Sequence, residues 1–316
     1  MPHSLRSAKV VALGGGHGLA ASLSALRLVC DQVTAIVTVA DNGGSSGRLR
    51  ADYGVLPPGD LRMALAALCD DSEWGQTWGD VLQHRFTGVG DLSGHALGNL
   101  LIVALWQLHD DPVTGLDLVG RLLSARGRVL PMAAVPLELV AQVSGLEPDD
   151  PTRSTTVRGQ VEIARTLGQV ESVSLVPDNP PARPESVAAV DDADLVILGP
   201  GSWYTSVLTH LLVPQLRDAL TRATARKVLT LNLEMNTAET RGFSATQHIE
   251  TLHATAPDLK IDAVLADPNT IEDHARLVGA CASLGAELVV APLARAEQPE
   301  QHDALRLAAA YRDILS

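Results

Sequence analysis

The 316-residue sequence predicts an α/β protein: a doubly wound, mostly parallel, Rossmann-like sheet with a β-rich insertion. Three observations lead there. Short apolar, β-branched runs alternate with helical stretches, as parallel βαβ units with right-handed crossovers require. Glycine-rich turns follow three of those runs, at the place where loops lie beyond the carboxyl ends of parallel strands. Between residues 127 and 181 the chain becomes richer in Val, Thr, Pro and Gly with shorter periods, the mark of an inserted β-rich subdomain.

In chain order, residues 9–13 read as a buried strand, followed by Gly14-Gly-Gly-His-Gly18 and an apolar helix to about Val29. Residues 33–40 form a continuous apolar run of the kind that parallel sheets bury on both faces, and a polar loop, 41–47, ends it. Helices are expected at about 60–69, 79–85, 95–108 and 115–124. Within the insertion, strands are expected at 129–135, 139–143, 159–163 and 172–176. Strands resume at 194–198, 227–233, 261–265 and 287–291, and a last helix lies near 302–315. At ~150 residues per domain the length allows two domains. With no interdomain linker in view, the reading is one domain over residues 1–316 with the 127–181 insertion inside it.

Composition narrows the partners. With 46% hydrophobic and 19% charged residues, the chain can bury a large core. Its longest apolar stretch, 97–108, falls well short of the ~18–20 residues that cross a bilayer, which excludes a spanning helix. The net charge of −13 argues against a broad nucleic-acid or anionic-membrane surface, since either needs a cationic footprint. One local phosphate pocket remains compatible. Lys occurs only at Lys9, Lys227 and Lys260; the predominance of Arg suits bidentate phosphate grips, and equally the bias of a GC-rich genome. Cys30, Cys69 and Cys281 lack Cys-x-x-Cys spacing and read as buried, reduced cytosolic thiols. Residues 1–8 are too short for a signal peptide.

The glycine turns carry the candidate chemistry. At Gly15, Gly16 and Gly18 a backbone without Cβ can approach a phosphate at the positive end of the following helix; a tight turn that simply needs glycine is the alternative. His17 faces a ligand oxygen or caps the helix. The spacing is not Gly-x-Gly-x-x-Gly, which sets aside a nicotinamide-dependent dehydrogenase. After the second strand, Asp41 stands where Rossmann-like folds place an acid on a ribose hydroxyl. Gly43, Gly44, Ser45 and Ser46 can form an N–H nest with two hydroxyls, closed by Arg48 and Arg50; an Asx turn at Asp41 is the alternative. In Gly199-Pro-Gly-Ser202, Pro200 fixes φ and both glycines permit close approach, while Ser202, Tyr204 and Thr205 add hydroxyls.

Asp60 reads as the N-cap of the next helix, or as a residue that binds Mg²⁺ or orients a hydroxyl. Asp41 and Asp60 are the carboxylates offered for catalysis. His95 and Asn99, four apart, share one helical face and reach one ligand or pair with each other. No Walker loop, His-x-x-x-His pair or Gly-x-Ser-x-Gly elbow is present, so a nucleophilic hydrolase is unsupported. The residues alone point to a phosphate- or nucleotide-binding α/β protein.

Five motifs in order carry a resemblance: Val10-Val-Ala-Leu-Gly-Gly-Gly-His-Gly-Leu19, Thr38-Val-Ala-Asp-Asn-Gly-Gly-Ser-Ser-Gly-Arg-Leu-Arg50, Pro57-Pro-Gly-Asp-Leu-Arg62, Gly94-His-Ala-Leu-Gly-Asn-Leu-Leu101 and Gly199-Pro-Gly-Ser-Trp-Tyr-Thr-Ser206. Together they resemble the gluconeogenesis-factor family (YvcK type), a branch of the CofD-like 2-phospho-L-lactate transferase superfamily. The resemblance implies a cytoplasmic bacterial regulator that binds UDP-sugars, notably UDP-N-acetylglucosamine. It also implies influence on cell shape and cell-wall synthesis during gluconeogenic growth. The related transferases join a phospholactyl group to a deazaflavin, using a guanosine diphosphate-linked donor and Mg²⁺.

By this resemblance the ligand contacts are Gly15, Gly16, His17, Gly18, Asp41, Asn42, Gly44, Ser45, Ser46, Arg62, His95, Asn99, Gly199, Gly201, Ser202 and Tyr204, with the diphosphate held at the first and third turns. The chain departs from the family at His17 (usually Thr), Asn42 (usually Asp) and Met63 (usually Asn), and in residues 232–240, where the Glu239-Thr240 end is kept. Loss of a carboxylate at 42 weakens a metal-dependent transferase reading. An aromatic content of 3% leaves little to stack a deazaflavin. The expected partners are a UDP-sugar or related nucleotide and a second copy of the chain, with no nucleic acid and no membrane. No cofactor is required, and Mg²⁺ is optional.

Overall fold

The computed structural model describes residues 5–315. Residues 1–4, half of the leader judged too short for a signal peptide, lie outside the described residues, as does Ser316. Strand β1 (Lys9–Gly14) leads into α1 (Gly16–Val29) and β2 (Gln32–Val37). Five helices follow, α2 (Gly44–Tyr53), α3 (Pro58–Ala67), α4 (Glu73–Gln83), α5 (Leu97–Leu108) and α6 (Pro112–Leu122), before β3 (Arg128–Pro131). A smaller unit contains β4 (Glu138–Ser144), β5 (Thr155–Arg158), α7 (Gln160–Ala164) and β6 (Gln169–Val176). Helix α8 (Pro184–Asp191) returns to β7 (Leu195–Leu198), and a π-helical turn, Trp203–Val207, runs through a 3-10 turn, Leu208–Leu212, to α9 (Pro214–Arg222). The chain closes with β8 (Arg226–Thr230), α10 (Ala245–Thr255), β9 (Ala263–Ala266), α11 (His274–Ser283), β10 (Glu287–Val290) and α12 (Ala304–Leu315).

Seven strands pair in the order β10-β9-β8-β7-β1-β2-β3, every neighbour parallel. Every residue of β7 and β9 is buried, so helices and turns cover both faces of the sheet. From β1 the chain winds outward to β2 and β3; from β7 it winds the other way, to β8, β9 and β10. The direction reverses between β1 and β7, where Val10 lies opposite Leu195. Open parallel sheets bind ligands beyond the strand ends at such a reversal. Helix α12 is fastened beneath it: the buried Tyr311 hydroxyl lies 2.8 Å from Ser22 Oγ on α1 and 3.1 Å from Thr230 Oγ1 on β8.

The second sheet is antiparallel, in the order β5-β4-β6. Here the structure differs from expectation. The strand expected at 129–135 is the edge of the main sheet, because buried Val129 and Leu130 pair in parallel with Ala35 and Ile36; the small sheet starts only at Glu138. The strand expected at 159–163 is instead α7. Gly159, at φ +99°, ends the strand, and the Ile163 N–H turns back to the Gly159 carbonyl at 3.1 Å. The helix expected from Gly79 begins at Glu73, capped by Ser72. Asp60 is not an N-cap: α3 starts behind Pro57, and Asp60 lies in its first turn. All three cysteines are buried and unpaired. No described helix is long and apolar enough to cross a membrane.

Candidate functional site

Two turns meet at the reversal between β1 and β7. A methyl group on Gly15 would fall 2.5 Å from Thr38 Cγ2 and 2.6 Å from Asp60 Oδ2; one on Gly18 would fall 2.3 Å from the Pro200 carbonyl oxygen. These two glycines therefore let three chain segments pack. Gly16 is different: its φ is +56° and its Cβ direction is open space. The Gly16 N–H donates to the Asp60 carboxylate, and the first turn of α1 has no side-chain cap. In the Pro200 turn, Gly201 is held by Asn232, whose Oδ1 accepts the Gly201 N–H at 2.8 Å and whose Nδ2 donates to the Gly201 carbonyl at 2.7 Å. A Cβ on Gly199 would crowd the Thr230 carbonyl at 2.8 Å.

The predicted residues divide around Gly16. On one side, His17, Gly18, Gly201 and Ser202 line a cavity of about 650 Å³, together with Asn232, Glu239, Arg295 and His302. His17 and Ser202 are exposed there. On the other side stand Asp41, Ser45, Ser46, Asp60, Arg62, His95 and Asn99. Asp41 Oδ1 accepts the Gly43 N–H at 2.8 Å, the geometry of an Asx turn. Ser46 Oγ accepts the Gly59 N–H at 2.9 Å. Ser45 Oγ lies 2.9 Å from His95 Nδ1 and accepts from Asn99 Nδ2 at 3.0 Å, while Asn99 Oδ1 accepts from Arg62 Nε at 2.9 Å. His95 precedes α5, so it does not share a helical face with Asn99; the Ser45 hydroxyl joins them instead.

Three expected contacts lie elsewhere. Asn42 is tied to the small unit, donating to Glu162 Oε2 at 2.7 Å and accepting the Val161 N–H at 3.0 Å. Tyr204 is 4% exposed, stands against Phe243 and reaches toward the Val170 carbonyl. Gly44 is exposed at the start of α2. Arg48 binds the Ser93 carbonyl at 2.8 Å and Arg50 the Leu137 carbonyl, so neither folds over the 41–47 loop.

With this geometry the relatives can be compared. The family described as 2-phospho-L-lactate transferase CofD matches residues 10–292. The chain belongs to the CofD family. A Mycobacterium tuberculosis protein named "Putative gluconeogenesis factor" is 50% identical over 303 residues, 95% of this chain and 88% of the relative. The Bacillus subtilis "Gluconeogenesis factor" is 36% identical over 266 residues, 84% of this chain and 80% of the relative. The crystal structure of a UPF0052-family protein from Bacillus halodurans superposes with a TM-score of 0.85 at 32% identity, covering 96% and 98% of the two chains.

In this CofD-family chain the electrostatics centre on Asp60 and Arg62. Burial, aided by the nearby charge of Asp41, pushes the Asp60 carboxyl up to about 7, against the Gly16 N–H and Arg62. Burial and Arg85 bring the Arg62 guanidinium down to about 10, with Asp60 opposing. Arg62 is 3% exposed, and its Nη1 has no hydrogen-bond partner among the described residues. Burial, then Arg48, lowers His95. Asp60 is thus a group that exchanges a proton near neutral pH, the property general acid–base chemistry uses. Among the described residues, no cluster of three or more His, Cys, Asp or Glu side chains is gathered as for a metal ion.

Linkage makes Asp60 testable. Its folded value of about 7 lies above the ordinary 3.8, so between those values the folded state binds a proton that the unfolded chain has released. Its contribution therefore favours folding at low pH and is lost as pH rises through 7. In Asp60→Asn the melting temperature relative to wild type should rise between pH 5 and pH 8. A difference that stays constant across that range would show that Asp60 titrates normally.

Several cavity residues lie outside the glycine turns, among them Asn232, Glu239, Arg295 and His302. Asn232 has the signal that exposed the turns, a polar residue just beyond an apolar strand, here β8; Glu239 lies further along the same loop in the kept Glu-Thr pair, and Arg295 and His302, in the loop after β10, have no local signal. Arg295 and His302 also fall beyond the matched residues, 10–292.

Proposed function

We propose that this CofD-family protein binds a UDP-sugar of the UDP-N-acetylglucosamine type. It acts in the cytoplasm as a regulator of cell shape and cell-wall synthesis during gluconeogenic growth. The observation that carries the reading is the cavity at the sheet's reversal, into which the uncapped first turn of α1 opens beside Gly201 and Ser202. The N–H groups of that turn other than Gly16, together with its dipole, suit a diphosphate. Asp41, beyond Gly16, accepts a hydroxyl. Titration calorimetry with UDP-N-acetylglucosamine, UDP-glucose and GDP tests the reading, which fails if no UDP-sugar binds at millimolar concentration. Asp41→Ala is expected to weaken binding by ~1–3 kcal/mol, the cost of removing a partner from a buried hydroxyl.

One observation favours a second reading, a Mg²⁺-dependent phospholactyl-type transferase. Burial, and after it the charge of Asp41, raises the Asp60 carboxyl; a divalent cation relieves such like-charge crowding, and Mg²⁺ takes one or two carboxylates plus phosphate oxygens. Asp41 and Asp60 would hold the ion, which supplies charge neutralisation at a phosphate; Arg62 and the Gly16 turn would orient that phosphate. Both ends of the Asn42 amide are engaged by α7, so Asn42 adds no ligand. Product from a guanosine diphosphate-linked phospholactyl donor, a deazaflavin and Mg²⁺ would reverse the ranking.

A further inference from the structure

Resting on the UDP-sugar reading, we infer that Glu239 determines specificity in the cavity: its carboxylate takes a hydrogen bond from a neutral O–H or N–H of the sugar and keeps the phosphates away from that end. Glu239 is 4% exposed yet lines the cavity, and its Oε2 has no hydrogen-bond partner among the described residues. A buried acceptor left unpaired in protein is one that a ligand donor can satisfy with a large gain.

The carboxylate is held in place from behind. The Thr205 side chain and the backbone N–H groups of Trp203, Thr205 and Tyr204 face it, and its Oε2 is the oxygen left without a partner within hydrogen-bond geometry among the described residues. Its own loop is braced by Thr240, whose Oγ1 donates to the Met235 carbonyl at 2.8 Å and lies 2.8 Å from Thr237 Oγ1. The N–H groups that begin the Trp203–Val207 turn, directly after the third glycine turn, therefore already face a carboxyl group of the protein, one that burial pushes up to about 7. A phosphate brought there would compete with that carboxyl for the same donors, and would meet like charge once the carboxyl is ionised. The remaining lining agrees: Glu234 and Glu300 add two carboxylates, and Arg295 is the one Lys or Arg side chain among the lining residues. His302, whose Nε2 is also buried without a partner among the described residues, offers a second polar contact in the cavity. Hydroxyls and an amide N–H suit this end; the first turn of α1 suits the phosphates.

The test compares UDP-N-acetylglucosamine with UDP by calorimetry, in wild type and in Glu239→Gln, which preserves size and an acceptor oxygen for the three N–H groups. Wild type should bind the sugar nucleotide at least about tenfold more tightly than UDP. Glu239→Gln should lose about ten- to a hundredfold in affinity for UDP-N-acetylglucosamine, the loss of one charge-assisted hydrogen bond, while its affinity for UDP stays within about twofold. Equal loss for both ligands, or no loss for either, overturns the inference and leaves the UDP-sugar reading standing. Should the variant not fold, the wild-type ratio decides alone, because UDP binding as tightly as UDP-N-acetylglucosamine overturns the inference. Binding of neither ligand to wild type overturns both readings.

Discussion

Asn99→Ala is expected to destabilise the protein by about 3 kcal/mol, the order seen when a buried charge loses its hydrogen-bond partner. Asn99 is 1% exposed and joins Arg62 Nε at 2.9 Å to Ser45 Oγ at 3.0 Å. Truncation strips an acceptor from a guanidinium that already carries one unpartnered nitrogen, and takes a donor from the serine. Urea unfolding measures the loss. Adding Arg62→Met to Asn99→Ala should then cost less than Arg62→Met alone, since the stranded charge is gone. Simple additivity would show that Asn99 and Arg62 are not coupled.

This network also shows how far residue types can be read without coordinates. Arg62, which the resemblance names, does converge with His95 and Asn99, but through Ser45 rather than along one helical face. Helix periodicity predicted that face; the chain enters α5 only at Leu97, so the four-residue spacing from His95 has no helical meaning. The parallel sheet was legible because each strand is a short apolar run followed by a turn. Helix α7 was not, since Val161 and Ile163 favour strands and only their place after the small sheet's Gly159 turn overrides that preference. Glu239 was visible as part of a family motif, yet nothing local announces that a carboxylate in a loop will fold under the Trp203–Val207 turn.

Gly15→Ala carries the other large effect. The added methyl would lie 2.5 Å from Thr38 Cγ2 and 2.6 Å from Asp60 Oδ2, and Thr38 is fully buried with no room to withdraw. Overpacking of this kind costs ~1–3 kcal/mol and occasionally more, and here the upper end is expected. Because Asp60 must move, ligand affinity should fall as well. Gly16→Ala provides the contrast. Its methyl meets nothing within 4 Å, so only the left-handed backbone at φ +56° is strained, for ~1–2 kcal/mol. Chemical denaturation of both variants decides; equal losses would mean that the Gly15 contacts relax freely.

The bridge between Asn42 and Glu162 has a consequence for how this chain can diverge. The two atoms stand 2.7 Å apart. An aspartate at position 42 would confront Glu162 with a second negative charge at that separation. A neutral or basic residue at 162 would relieve that repulsion, so the two positions are coupled in charge. The ligand loop thus answers to a residue some 120 positions away in sequence, and a change of charge in one place is felt in the other.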